Sequence, residues 1–413
     1  MTFLLLNQTF HPDRVATAQY LTDAAQALVA QGHSVTVVAS ARGYDDTSAK
    51  FEARETWSGI DIHRIRPLAF GKSSRWRRAL DFTSYLVLCV LKLARMPRFD
   101  VVITLTSPPL ISVVGAVVSR LRGSRFVFWV MDLNPDEAIA AGWLKPESLT
   151  ARLLMWLLSF SLRRADQIVA LDRFMADIIA GKGIDRQRIA VLPPWCHDTI
   201  RFDRRERDAF RKARGWEGKF VVMYAGNHSP CNPLDTVIEA AKSLQDETAI
   251  RFCFIGGGSV FRAIKSDVAP RLLNVVCLPY LPREELSAAL SAADLHVVTL
   301  GDIFRGLIHP SKVYNVLKVG APVLYVGPEP SHVMDVARAT GLSTWRCRHG
   351  DVAGAVEAVR TAKARTSEHF RIGACDRAMP FAADYLLPRF VELVTKSHAS
   401  SAPKWPDSRT SAS

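Results

Sequence analysis

The chain has 413 residues, of which 48% are hydrophobic and 23% are charged. This length exceeds what one compact core accommodates, so two domains are expected, and the ordinary composition excludes a fibrous or wholly disordered chain. Lys and Arg outnumber Asp and Glu by 53 to 40, a net charge of +13. That surplus suits nucleic acid, an anionic membrane face or a phosphorylated ligand.

The N-terminal residues 1–10, MTFLLLNQTF, predict a first β-strand. No basic region precedes the apolar run, and Asn7 and Gln8 interrupt it, so a signal peptide is not expected. Seven scattered cysteines form no CxxC pair and no metal-ligand spacing. This usage favours reduced thiols, no metal site and a cytoplasmic protein.

Strand and helix patterns alternate through the first half of the chain. The predicted strands are 2–7, 34–40, 101–106, 126–131 and 167–172. Between the first two, residues 17–32 predict an amphipathic helix that ends at Gly32. Alternation of this kind indicates a parallel sheet with helices on both faces, and we expect a Rossmann-like domain over residues 1–202.

A second strand–helix series follows the charged residues 203–219, which predict a linker. Its strands are predicted at 220–226, 250–258, 274–281, 293–300 and 321–327, with a helix at 234–245. We expect a second Rossmann-like domain over 220–380, a C-terminal helix at 381–396 that packs on the first domain, and a disordered tail at 397–413. The predicted fold class is α/β, with two doubly wound Rossmann-like domains facing a cleft.

Ligands of doubly wound sheets bind beyond the carboxyl ends of the strands, so those loops carry the candidate site residues. Gly226 ends one predicted strand, and Gly256 and Gly257 end the next. Glycine lets a ligand approach the backbone and leaves N–H groups for phosphate, although a tight turn without a ligand explains either position equally well. No GxGxxG pattern is present, so a dinucleotide fingerprint is excluded.

The segment HPSKVYN, residues 309–315, places a cation at the start of a helix. Ser311 stands at the predicted N-cap, Lys312 opens the first turn, and Asn315 follows on the same side. A cation there opposes the helix dipole by roughly a few tenths of a kcal/mol. An anion held between the helix amides and the ammonium would account for it, and a solvated lysine is the alternative.

Polar residues also follow predicted strands in the first domain. Asp132 comes directly after a strongly apolar strand. It either caps the next helix or serves substrate hydroxyls or proton transfer. The loop after the first strand carries further candidates: His11, Asp13, Arg14 and Thr17.

Two Trp-containing apolar stretches have basic flanks. Residues 71–98 contain seven Lys or Arg and one acid, Asp81, and residues 149–164 end in two arginines. Each apolar run is shorter than the ~20 residues that span a bilayer. Basic flanks with Trp favour a helix at an anionic membrane surface, with ordinary core helices as the alternative.

Seven segments together resemble the family 4 glycosyltransferases of the GT-B fold, and within them the bacterial WbuB-like enzymes of surface polysaccharide synthesis. They are FHPDRVATAQYLTDAAQALVAQGHSVTVVAS at the start, DVVITLTSPPL (100–110), VMDLNPDEAIAAG (130–142), VLPPW (191–195), YAGNHS (224–229), LPYLPREELSAALSAADLHVV (278–298) and HPSKVYNVLKVGAPVL (309–324). The resemblance covers roughly residues 3–395.

The resemblance implies retaining, metal-independent and cofactor-free transfer of a hexose or N-acetylhexosamine from a nucleotide diphosphate sugar, with a UDP-sugar favoured. The acceptor would be a lipid-linked saccharide at the inner face of the cytoplasmic membrane. The resemblance also implies that Asp132 and Lys312 are catalytic residues, with Lys312 neutralising the leaving diphosphate. The implied donor-binding residues are Gly226, Asn227, Gly256, Gly257, Tyr280, Leu281, Arg305, Ser311, Lys312 and Asn315. The implied acceptor-binding residues are His11, Asp13, Thr17 and Asp132.

The sequence departs from the usual family pattern at four positions. An Arg–Lys pair after the first strand of the second domain falls on Asn227 and Asn232. Of a Glu–x7–Glu motif, the first glutamate falls near Leu307 and the second on Asn315. WbuB-like members similarly carry GN after that strand and PSK before the helix, so Lys312 would supply the missing charge. An amide at position 315 can still bind ribose hydroxyls, more weakly than a carboxylate.

Other readings of the sequence stay open. A catalytically inactive GT-B subunit of a polysaccharide assembly accommodates the missing glutamates, and a hydrolase or a nucleotide-sugar epimerase shares the fold. Nucleic-acid binding depends on net charge alone, since no RRM, KH, zinc-finger or helix-turn-helix signature is present, and no nucleic-acid partner is expected.

Overall fold

The computed structural model describes residues 1–13, 15–43, 50–68, 75–197, 199–365, 371 and 374–396. The candidate Arg14 and the predicted tail at 397–413 lie outside these residues. The chain divides into two compact units. Of the described residues, the first contains Met1–Pro193, Gly306–His309 and 386–396, and the second contains Pro194–Arg305 and Pro310–Tyr385.

The first unit is built on a mostly parallel sheet. Its strands are β1 (Thr2–Leu6), β2 (Ser34–Ser40), β3 (Arg54–Trp57), β4 (Ile60–Ile65), β5 (Val101–Thr104), β6 (Arg125–Val130), β7 (Gln167–Ala170) and β8 (Ile189–Val191). Within the described residues they form one sheet in the order β3-β4-β2-β1-β5-β6-β7-β8, and β3 alone runs antiparallel to its neighbour. Every residue of β5 and β7 is buried, as expected for strands covered by helices on both faces.

Helices connect these strands. They are α1 (Ala16–Ala30), α2 (Arg75–Ala94), α3 (Ile111–Arg122), α4 (Asp136–Ala140), α5 (Leu149–Arg164) and α6 (Arg173–Gly181). The face predicted to be apolar in α1 is the buried one, including Tyr20, Leu21 and Leu28. In the part of the chain that the structure describes, no helix has both the length and the apolar character that crossing a bilayer requires.

The second unit has a fully parallel sheet. Its strands are β9 (Phe220–Asn227), β10 (Ile250–Gly257), β11 (Val275–Leu278), β12 (Leu295–Thr299), β13 (Val323–Val326) and β14 (Thr344–Cys347). Within the described residues their order is β11-β10-β9-β12-β13-β14. Its helices are α7 (Arg204–Lys212), α8 (Asp235–Ser243), α9 (Ser259–Ala263), α10 (Arg283–Ser291), α11 (Lys312–Val319), α12 (His332–Thr340), α13 (Val352–Ala364) and α14 (Ala374–Ala378). The predicted α/β class with two doubly wound Rossmann-like domains is confirmed.

The charged stretch at 203–219 is not a linker, so that prediction is wrong. Its residues belong to the second unit and form α7, which is capped by Asp203 and packs against α10. Phe210 and Trp216 join the core, while Arg207 and Arg211 bind the buried carboxylate of Asp294. The stretch is therefore highly charged and yet forms an amphipathic helix, in which two of the arginines bind a buried carboxylate.

A last helix, α15 (Ala383–Thr395), returns the chain to the first unit from Leu386 onward. The Phe390 ring lies 4.5 Å from the Trp129 ring on β6. The Arg125 guanidinium donates to the carbonyls of Leu393 and Val394 at the end of the helix. These contacts satisfy carbonyl groups that a helix C-terminus otherwise leaves without a partner.

Candidate functional site

Glycines lie side by side at the carboxyl ends of β9 and β10. Gly226 pairs with Gly256, and Asn227 pairs with Gly257. Gly226 has φ +126°, and a Cβ there would lie 2.7 Å from Cε of Lys312. A Cβ at Gly256 would overlap the Gly226 carbonyl, and one at Gly257 would lie 2.8 Å from the Tyr280 ring. Gly226 therefore makes room for the lysine, whereas Gly256 is required by the packing of the two strands.

Lys312 begins α11, as predicted from the sequence. Its side chain lies against Gly226, and its ammonium is 5.0 Å from the centroid of the Tyr224 ring. Among the described residues, no carboxylate lies within 4 Å of this half-buried ammonium. Burial lowers the pKa of Lys312 to about 8. A cation–π contact offsets the desolvation of the ammonium only partly, so this half-buried charge is suited to an anionic ligand.

Ser311 occupies the N-cap position of α11, but the expected capping hydrogen bond is absent. Its backbone is already helical, with φ −72° and ψ −6°, and its side chain makes no cap bond. A helix N-terminus without a side-chain cap presents N–H groups to a ligand or to water. Next to the Lys312 ammonium, these groups suit the oxygen atoms of a phosphate.

Three buried polar atoms near these elements have no hydrogen-bond partner within the described residues: Oδ1 of Asn315, Oδ1 of Asn232 and Nε2 of His228. Asn315 lies one turn after Lys312 in α11. A buried amide oxygen without a partner costs roughly 1–3 kcal/mol, so a ligand that donates to it gains that free energy. Asn315 therefore suits a hydroxyl group.

His228 is a site residue that the sequence reasoning missed. Its Nδ1 lies 2.8 Å from the Gly226 carbonyl, and its backbone N–H donates to Gly257. Burial, and to a smaller extent the Lys312 ammonium, lower its pKa to about 4. The neutral ring must donate from Nδ1, since a carbonyl only accepts. Together, the two hydrogen bonds of His228 hold the glycine-containing ends of β9 and β10 in place next to Lys312.

The other predicted donor-site residues lie around the same sheet edge. Asn227 places its side-chain oxygen beside Gly258. Tyr280 is exposed, and Leu281 packs partly into the core beside α10. Arg305 donates to the Pro330 carbonyl in the loop after β13. Their roles as donor-binding residues stay predictions.

Asp132 in the first unit follows β6 and is half-buried. Burial, with the neighbouring Glu137 carboxylate adding, raises its pKa to about 7. It does not cap α4, whose N-cap is Pro135, so the capping alternative does not hold. A carboxyl group that exchanges its proton near neutral pH is suited to proton transfer.

The loop after β1 is held by contacts within the first unit. The His11 ring stacks on Trp57 at 3.8 Å, and the His11 carbonyl accepts from Arg64. Thr17 bonds Thr9, which reduces its freedom to bind a ligand. Because β1, β5 and β6 are parallel neighbours, this loop and Asp132 both follow the carboxyl ends of strands and lie at the same end of the sheet. Trp57, which the sequence reasoning also missed, orients His11.

Comparison with known proteins shows what this chain is similar to. Residues 16–195 match the family described as "Glycosyl transferase 4-like domain". The chain is 28% identical to WbjE of Pseudomonas aeruginosa over 260 residues, which cover 62% of this chain and 64% of WbjE. It is 26% identical to WcaI of Escherichia coli (strain K12) over 340 residues, which cover 78% of this chain and 82% of WcaI. WbjE is named as a glycosyltransferase, and WcaI as a glycosyl transferase of colanic acid biosynthesis.

Solved structures show the same fold. Anabaena HepE in complex with UDP-glucose has a TM-score of 0.69 at 14% identity, covering 95% of this chain and 98% of HepE. The two doubly wound units and these matches define a GT-B protein. The family model, the two relatives and the solved structures support a family 4 glycosyltransferase of the GT-B fold, as the resemblance predicted; the finer WbuB-like assignment stays a prediction.

Proposed function

We propose that this protein transfers a sugar from a nucleotide diphosphate sugar to a saccharide acceptor in bacterial polysaccharide biosynthesis. The observation that carries the proposal is the half-buried Lys312 ammonium, which lacks a carboxylate partner among the described residues and lies over Gly226 at the end of β9. The names of WbjE and WcaI support the reaction class and the biosynthetic setting.

The diphosphate of the donor binds Lys312 and the first turn of α11. A ribose hydroxyl donates to Oδ1 of Asn315, and the exposed Tyr280 borders the nucleobase. The UDP-glucose bound to HepE supports UDP as the nucleotide to test first. A fixed ammonium stabilises the charge that develops on the leaving diphosphate, so the proposed transfer needs no metal. We further propose that the transfer retains the anomeric configuration, as the resemblance to the family 4 enzymes implies.

The acceptor hydroxyl binds the first unit near Asp132. With a pKa near 7, this carboxyl group is partly ionised at neutral pH and can take up the proton that the hydroxyl releases. His11, held by Trp57, and Asp13 border the same sheet edge. The acceptor is a lipid-linked saccharide, and the protein associates peripherally with the inner face of the cytoplasmic membrane.

A catalytically inactive binding subunit is the second candidate. The observation that favours it is the set of asparagines where the family usually carries charged residues: Asn227, Asn232 and Asn315. Such a protein would bind the nucleotide sugar through Lys312 without releasing nucleotide diphosphate. Assays of binding and of nucleotide release therefore separate the two candidates.

The first test is a thermal-shift titration with UDP-, GDP- and dTDP-sugars. The proposal predicts that the melting temperature of the wild type rises by several degrees with one nucleotide and that Lys312→Ala abolishes the shift. Lys318→Ala, at the other end of α11, is the matched control and should retain it. A shift that survives in Lys312→Ala would remove Lys312 from the donor site.

A further inference from the structure

The outward face of α5 is apolar although its other face already packs in the core. Leu149, Leu153 and Trp156 are 82%, 56% and 61% exposed. They recur at intervals of four and three residues and therefore share one side of the helix. Leu158 and Leu162 on the opposite side are buried. The helix is thus apolar on two sides, and within the described residues only one of them packs against the rest of the unit.

This exposed stripe ends at two arginines. A cavity of about 340 Å³ is lined by Trp156, Phe160, Arg163 and Arg164. The Trp156 and Phe160 rings are stacked with centroids 6.1 Å apart, and the Arg164 guanidinium lies 5.8 Å from the Phe160 centroid. In the described part of the chain, no carboxylate lies within 4 Å of either guanidinium. The cavity offers an aromatic wall and two cations to an anion.

The neighbouring helices continue the same surface. Helix α3 packs against both α2 and α5. Ser112 of α3 bonds Ser161 of α5, and Arg122 of α3 donates to the last carbonyls of α2, including Leu93. Among the described side chains of α2 and α3, the large apolar ones that are exposed are Leu80, Val87, Val90, Leu91, Val117 and Leu121.

The charge of the three helices restricts what can cover them. Their sequences contain nine Lys or Arg and one acid, Asp81. A second copy of the same surface would bring like charges together, and a nucleic acid would leave the leucine stripe in water. An anionic bilayer buries the apolar side chains at its interface and pairs the cations with its phosphates.

We infer that α2, α3 and α5 form one docking surface for an anionic phospholipid bilayer, with the cavity at Trp156, Phe160, Arg163 and Arg164 receiving a headgroup phosphate. This inference names the lipid partner of the acceptor-binding unit and so rests on the proposed function. Binding to vesicles itself requires no nucleotide sugar, which allows the two proposals to fail separately.

The test is co-sedimentation of the full chain with vesicles of phosphatidylglycerol and phosphatidylcholine in equal parts, compared with phosphatidylcholine alone. The wild type should sediment with the anionic vesicles and be released by high salt. Arg163→Gln/Arg164→Gln should weaken binding by about fivefold for each arginine removed. Its matched control, Arg271→Gln/Arg348→Gln, removes two exposed arginines of the second unit and should bind like the wild type.

The apolar contribution is tested by Leu149→Ser, with Leu273→Ser as its control at a comparably exposed leucine of the second unit, 91% exposed. Only the former should lose vesicle binding. Equal binding to both kinds of vesicle, equal losses in a variant and its control, or dimerisation through this face would overturn the inference. If the wild type binds nucleotide sugar but not anionic vesicles, the docking surface is wrong and the proposed function stands. If it binds anionic vesicles but no nucleotide sugar, only the proposed function is refuted.

Discussion

Replacing Lys312 by alanine should reduce the affinity for UDP by one to two orders of magnitude. Two unit charges about 4 Å apart interact by about 4 kcal/mol at an effective dielectric constant of 20. Desolvation of the phosphate offsets part of that free energy, and hydrogen bonds to charged groups contribute about 1.5–3 kcal/mol. A loss of about 2–3 kcal/mol corresponds to roughly 30- to 150-fold weaker binding.

The pH dependence sharpens this prediction. The pKa of Lys312 in the ligand-free protein is lowered to about 8 by burial. UDP binds the protonated form, so its affinity should be constant below pH 8 and fall by up to about tenfold per pH unit above it. Lys312→Arg keeps the charge throughout, because arginine stays protonated, and its affinity should not show this decline.

Isothermal titration calorimetry with UDP measures both the loss of affinity in Lys312→Ala and the pH dependence of the wild type. A range of roughly pH 6.5 to 9.5 brackets a pKa near 8. Lys318→Ala controls for the loss of a lysine from the same helix. Equal UDP affinity in Lys312→Ala and the wild type would show that Lys312 does not bind the diphosphate. A wild-type affinity that stays level above pH 8 would show that Lys312 does not carry the ligand's counter-charge.

Three further predictions concern the packing around the site and the fold. Asp132→Asn should stabilise the protein relative to the wild type, increasingly as pH rises from about 4 to 7 and by at most about 1.4 kcal/mol per pH unit. The reason is that the wild-type carboxyl group keeps its proton in the folded protein over this range but loses it in the unfolded chain. Thermal melts at several pH values measure the difference. Gly226→Ala should displace the Lys312 side chain and weaken UDP binding in the same calorimetric assay, whereas Gly142→Ala, at φ +69° with open space around it, should cost stability without changing affinity. Asp294→Ala should destabilise the second unit by about 3–5 kcal/mol in urea unfolding, since it leaves the buried Arg211 guanidinium without its carboxylate partner. An effect below about 1 kcal/mol would contradict the role of α7.

The sequence predicted the elements whose local pattern agrees with their burial. Continuous apolar runs identified β1, β5 and β7, and the periodic face of α1 was the buried one. The hairpin of β3 and β4 was missed, because its charged residues, such as Arg54 and Asp61, pair with each other across the edge of the sheet. The prediction of a linker at 203–219 was wrong for a similar reason: its Arg211 pairs with Asp294, which is distant in the sequence.

The candidate site was predictable in part. The position of Lys312 at the start of α11 followed from its sequence neighbours. Its contacts with Gly226 and Tyr224 depend on the pairing of elements nearly ninety residues apart in the chain, which no local pattern records. The roles of His228 and Trp57 likewise come from tertiary packing.

The most direct test of the proposed sugar transfer is an assay with purified protein, a panel of UDP-, GDP- and dTDP-sugars labelled in the sugar, and a bacterial lipid extract as the acceptor source. With one donor, the wild type should yield labelled lipid and free nucleotide diphosphate in equal amounts, and Lys312→Ala should yield neither. Tight binding of a nucleotide sugar without release of nucleotide diphosphate, or with release but no labelled lipid, would contradict the proposed transfer.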